Sequence, residues 1–168
     1  MTFVVEFLPA RPLPGHVPTA ESPRPSDDCQ TAIMCACSML AEVDGSYFDF
    51  RGFGRDPWNV DVAYDMSAFL EQVGELARAM RSEDFASVDL YSQGVESALE
   101  FEPRAELVAI RCTSRTAWTP DPTVEVISRL VLVEMLERLV KQVARGLELI
   151  QPELIGQAPF DAWAIGEL

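Results

Sequence analysis

Carboxylates dominate the chemistry this chain can offer. Asp and Glu number 27 against 13 Lys and Arg, giving a formal net charge of −14 at pH 7. They crowd one segment: Glu83, Asp84, Asp89, Glu96, Glu100, Glu102 and Glu106 fall together, with Arg104 the base among them. Apolar and polar residues alternate there as they do in half-buried strands. Asp89, Glu100 and Glu102 are therefore expected on the outer face of a sheet, with a basic protein or a cation as the natural partner of such a face. Carboxylates on an open sheet lack the apolar cleft that raises a carboxyl pKa, so paired acid/base work of the glycosidase kind is not expected of them.

Other chemistry is sparse. The one histidine, His16, stands among prolines, with no apolar setting to tune it as a general base. Lys141, the one lysine, lies four residues after Glu137 on a helical stretch, where a solvated ion pair is the ordinary arrangement. Cys29, Cys35, Cys37 and Cys112 lack the second convergent Cys/His pair that zinc requires, and read as small buried thiols of a reducing, cytoplasmic compartment. No Asp-rich loop with calcium-site glycine spacing occurs. Arg51-Gly52-Phe53-Gly54-Arg55-Asp56 matches neither phosphate-loop fingerprint and reads as a turn. No catalytic residues, metal ligands or cofactor are therefore expected.

The same totals exclude classes of partner. A chain this negative repels phosphate backbones and anionic membrane surfaces. No run of about 18 apolar residues is present to span a bilayer, and the N-terminus has no basic start of the secretory kind.

The elements that must position these residues follow from periodicity. A strand is expected over 2–8, then an exposed Pro-rich loop over 9–28, since proline lacks a donor and breaks both regular structures. Strands are expected over 31–43, over the aromatic run from Tyr47 to Phe53, and over Trp58–Tyr64, where Trp58, Val60, Val62 and Tyr64 alternate. A helix is expected over 67–81, capped by Asp65 or Ser67 and burying Phe69, Val73, Leu76, Ala77 and Met80. Three short strands then form a meander around Val88, Leu99 and Val108. A long helix is expected over 123–150, capped by Asp121 or Thr123, and the tail 152–168 is expected to pack back through Phe160, Trp163 and Ile165. The result is a single α+β domain over 1–168, a mostly antiparallel sheet with two main helices on one face.

From Ser67 to Trp118, a helix followed by the meander Val88-Asp-Leu-Tyr-Ser-Gln-Gly-Val-Glu-Ser-Ala-Leu-Glu-Phe-Glu-Pro103, the chain resembles the immunity proteins of bacterial polymorphic toxin systems. The likeness is one of pattern, over part of the chain, and brings no site residues with it. It implies a small acidic cytoplasmic protein that neutralises a toxin by covering its active site.

Two functions follow as expectations. The first is a non-enzymatic interaction module that occludes a basic partner, a secreted toxin. Asp89, Glu96, Glu100 and Glu102 would pair with the partner's Arg or Lys, and Tyr91 and Trp118 would serve as aromatic anchors. Trp58 and Tyr64 are placed in the core. The alternative is a ligand-binding or enzymatic domain with a pocket near Arg51, Arg55, Arg111 and Arg115. A third arrangement is a homo-oligomer formed through the Pro-rich loop and the tail.

Overall fold

A run of aromatic side chains between two sheets and three helices organises the molecule. A computed structural model describes residues 3–168. The first sheet pairs β1 (Val4–Leu8) antiparallel with β2 (Tyr47–Arg51), Val5 opposite Phe50 and Phe7 opposite Phe48. The second is a four-stranded antiparallel meander of β3 (Ala86–Leu90), β4 (Ser97–Arg104), β5 (Leu107–Ser114) and β6 (Val124–Ser128), adjacent in that order. Phe3 meets Phe50 at 5.5 Å and Phe101 at 6.2 Å between ring centroids, edge to face, and so joins the two sheets. The α+β class is as expected. The strand expected at 2–8 is seen from Val4, and Thr2 lies outside the described residues.

Three expectations fail at the level of elements. Residues 31–43 are not a strand but belong to helix α1, Cys29–Ala41. Asp28 accepts the Thr31 N–H at 2.7 Å and so satisfies a first-turn donor. The buried Ala32, Ile33, Ala36, Cys37, Met39 and Leu40 repeat at helical spacing. Cys35 and Cys37 therefore do not point the same way, as they would in a strand: Cys37 is buried and Cys35 only partly so.

Trp58–Tyr64 is not a strand either. Trp58 is buried and donates its backbone N–H to the Phe50 carbonyl, after which Asp61 accepts the Tyr64 N–H at 2.6 Å in a turn that opens α2, Asp65–Ser82. Neither Asp65 nor Ser67 caps that helix; Asp65 reaches back to the Asp61 N–H instead. Tyr64, expected in the core, is 69% exposed.

The long helix also starts later. Val124–Ser128 forms β6, and α3 runs Arg129–Ile150, so neither Asp121 nor Thr123 caps it. Arg129 pins this junction: its side chain donates to the carbonyls of Ala105 and Met80 and pairs with Glu83 at 2.9 Å. Among the described residues there are thus three main helices in place of the two expected. The tail folds back through a 3-10 turn, Pro152–Gly156, and α4, Phe160–Ile165, which bury Leu154, Phe160 and Trp163 but leave Ile165 exposed. No helix is long and apolar enough to cross a membrane among the described residues.

The Pro-rich segment 9–28 is tied to the body at one point. The Glu42 carboxylate accepts from the Thr19 N–H (2.6 Å), the Thr19 hydroxyl (2.8 Å) and the Ala20 N–H (2.6 Å). Those donors, Thr19 first, hold the Glu42 carboxyl below the ordinary glutamate range. Because the folded value is depressed, this tie is fully present above the ordinary glutamate pKa and is lost as pH falls through the lower, folded one. Amide exchange at residues 19–20 is expected to speed up in Glu42→Ala at neutral pH, and in the native chain only under acid. Equal protection with and without the carboxylate at neutral pH would contradict this.

Candidate interaction surface

The outer face of the four-stranded sheet is set by strand phase. Val88, Leu90, Leu99, Phe101, Val108 and Ile110 point inward and are buried, while Asp89, Glu100 and Glu102 stay exposed, as expected. Their electrostatic role is not as expected, because each carboxylate has an arginine of the same chain beside it. Arg115 meets Asp89 at 2.5 Å, Arg104 meets Glu102 at 2.9 Å, and Arg111, cross-strand from Glu100, lies 3.9 Å from it. Arg104 holds the Glu102 carboxyl below its usual range. Exposed pairs of this kind are screened by water and salt, so they do little for the fold. They do cancel the field of the face: three carboxylates meet three guanidinium groups. The face expected to be acidic is locally neutral.

The uncompensated acids lie around the corner, where the start of α2 meets the end of β3. α2 packs along β3 through Gln72, whose amide accepts from the Asp89 N–H and donates to the Asp89 carbonyl, both at 2.9 Å. That side chain continues the ladder where the strand edge would otherwise stand open. One residue earlier on α2, Glu71 accepts from the Tyr91 hydroxyl at 3.0 Å and from the Gln30 amide of α1 at 2.9 Å. Tyr64 lies two turns before Glu71, roughly 10 Å along the same helical face. Tyr91 is 53% exposed. Asp28, Asp61, Asp65, Glu71 and Glu96 all belong to this region, and none makes an ion pair among the described residues.

Asp65 is the buried member, with one carboxylate oxygen on the Asp61 N–H and the other without a hydrogen-bond partner among the described residues. Burial pushes its carboxyl up, against the pull of that hydrogen bond. Burial likewise pushes up the Tyr91 phenol, and the Glu71 carboxylate reinforces the shift, so the hydroxyl stays protonated as a donor.

Of the six residues expected to bind a partner, Tyr91 and Glu96 belong to this corner. Asp89 sits at its edge, already paired with Arg115, while Glu100 and Glu102 lie out on the neutralised face. Trp118 is not a free anchor. It is half-buried against Trp58 at 5.0 Å, with the Arg55 guanidinium 4.0 Å over its ring. Asp61, Tyr64 and Glu71 were missed by sequence reading. Glu71 carried a usable signal, since it falls off the apolar stripe of a well-marked helix.

The four arginines of the alternative pocket do not converge. Arg51 pairs with Asp49 at 2.6 Å, Arg55 stacks on Trp118, Arg111 faces Glu100 and Arg115 holds Asp89. Clefts of 290–540 Å³ on the described surface are lined by other residues. All four thiols are raised in pKa, first by burial, Cys112 to about 12, so none is held as a thiolate near neutral pH. No group of three or more His, Cys, Asp or Glu is placed to hold a metal ion among the described residues. Tyrosines amid unpaired carboxylates suit recognition of a cationic surface.

Compared with known proteins, the chain matches no family model, no curated protein and no solved structure.

Proposed function

We propose that this chain is a non-enzymatic interaction module that binds a basic protein and covers its working surface, in the manner of an immunity-type inhibitor. One observation carries the reading: the exposed Tyr64 and Tyr91 stand beside Asp61, Asp65, Glu71 and Glu96, which make no ion pair among the described residues, while the sheet face next to them is balanced charge for charge. Aromatic anchors supply contact area, and the uncompensated acids steer a cationic partner toward them. Cytoplasmic residence and a secreted toxin as the partner belong to the same proposal and rest on the sequence resemblance.

Capture from the native cell tests it. The chain is expected to retain a basic protein in stoichiometric amount and to inhibit that protein's activity, and Tyr91→Ala combined with Glu71→Lys is expected to release it. Retention of no basic protein, or retention that ignores the double variant, would overturn the proposal.

A further inference from the structure

We infer that the groove between α1, α2 and α4 is a docking site for a basic amphipathic helix of the partner. This deepens the interaction reading above and rests on it. The groove encloses about 380 Å³. Its floor is apolar and formed by buried side chains, Ile33 of α1, Leu70 and Val73 of α2 and Trp163 of α4. Its rim is acidic: Glu71, Glu75 and Glu167 border the opening. Among the described residues only Glu75 of these three touches a cation, Arg78, at 3.9 Å and with both side chains mostly exposed, a contact too weak to fill its charge.

Gly74 adds an independent observation. It sits inside α2, where glycine is the poorest ordinary helix former after proline, and it lines the groove. A methyl group added there would meet nothing within 4 Å. Packing among the described residues therefore gives no reason for the missing side chain, whereas a ridge of another helix lying in the groove does. Helix-in-groove recognition needs an apolar channel read by side chains at i, i+3 or i+4, and i+7. Charge selects the occupant: a rim of glutamates on a chain of net charge −14 attracts a helix whose flanks carry Lys or Arg. The rim is continuous with the tyrosine corner through Glu71, which holds Tyr91.

The probe is a fluorescein-labelled helical peptide with leucines at those spacings and lysines elsewhere. A scrambled peptide of equal composition serves as the control. Anisotropy with the full chain is expected to saturate for the patterned peptide and not for the scrambled one. Gly74→Leu, which fills the channel, is expected to weaken binding at least about tenfold. The exposed Glu75→Lys/Glu167→Lys pair is expected to weaken it similarly and to flatten its salt dependence, with far-UV circular dichroism unchanged in both variants. Equal binding of both peptides, or binding indifferent to both variants, would overturn the inference. If native capture retains a basic partner whose binding ignores Gly74→Leu, the groove falls while the interaction reading stands. If the peptide binds as described but no basic protein is ever retained, that reading falls by itself.

Discussion

Gly54→Ala is expected to lower stability by about 2–5 kcal/mol, enough to move the melting temperature by roughly 10 °C in a chain of this size. Two costs add at this position. Gly54 has φ +84°, where an L side chain is strained by about 1–2 kcal/mol. An added Cβ would also clash with the Asp121 carbonyl oxygen, far inside van der Waals contact distance, and that backbone atom cannot rotate away. That carbonyl is held in place because the Asp121 N–H donates to the Phe53 carbonyl at 3.0 Å. The same tip is fixed from below by Glu125 of β6, a buried carboxylate that accepts the Phe53 N–H at 2.6 Å. The tip therefore has nowhere to relax, and the overpacking cost of about 1–3 kcal/mol stands in full. Thermal and denaturant melts read the effect directly. A change below about 1 kcal/mol would mean that the loop 119–123 yields, and that the clamp between β2 and β6 is not rigid.

The second large effect concerns association. Asp61→Lys/Glu71→Lys is expected to slow binding of a cationic partner by about tenfold or more at low salt, within the ~10–10³ range that steering supplies. Glu100→Lys/Glu102→Lys is expected to change it by no more than about twofold. Each reversal adds two charge units, so both double variants move from −14 to −10 and share the same overall charge. Any difference between them therefore reports location. Location decides because the Debye length is about 10 Å at 0.1 M ionic strength, so a partner senses the charges near its landing site. At the corner, Asp61 and Glu71 meet no arginine among the described residues. On the sheet, Glu100 and Glu102 already face Arg111 and Arg104.

The meander and α2 were legible because their periodicities are clean. Val88, Leu90, Leu99, Phe101, Val108 and Ile110 alternate strictly, and the short turns between the strands leave antiparallel pairing as the simple solution. β6 was hidden by an inversion of that rule. It buries Glu125 and exposes Val126, because the carboxylate is needed inside to hold the Phe53 N–H. A polar residue in the inward phase made the strand read as the first turn of the long helix. α1 was hidden differently: its small apolar residues suit strand and helix alike, and its helical period shows only once Asp28 is recognised as the cap. Trp58–Tyr64 alternates by accident, since Trp58 is buried for packing and Tyr64 lies outside.

The candidate surface was half visible. Strand phase put Asp89, Glu100 and Glu102 outward, and the structure agrees. Their neutralisation follows from register, with Glu100 opposite Arg111, and from the return of the chain that lays Arg115 on Asp89. Register and return are set by turns and tertiary contact, which a count of charges along the chain does not contain. The groove was out of reach for the same reason, because its three helices come from both ends of the sequence and the small apolar residues of α1 suit a strand as well as a helix.

Stopped-flow association with the captured basic partner, recorded against ionic strength for the two double variants, bears most directly on where this protein meets its target. The expected result is a slow, salt-insensitive Asp61→Lys/Glu71→Lys beside a nearly native Glu100→Lys/Glu102→Lys. The reverse order, or equal slowing of both, would contradict the assignment of the contact surface to the tyrosine corner.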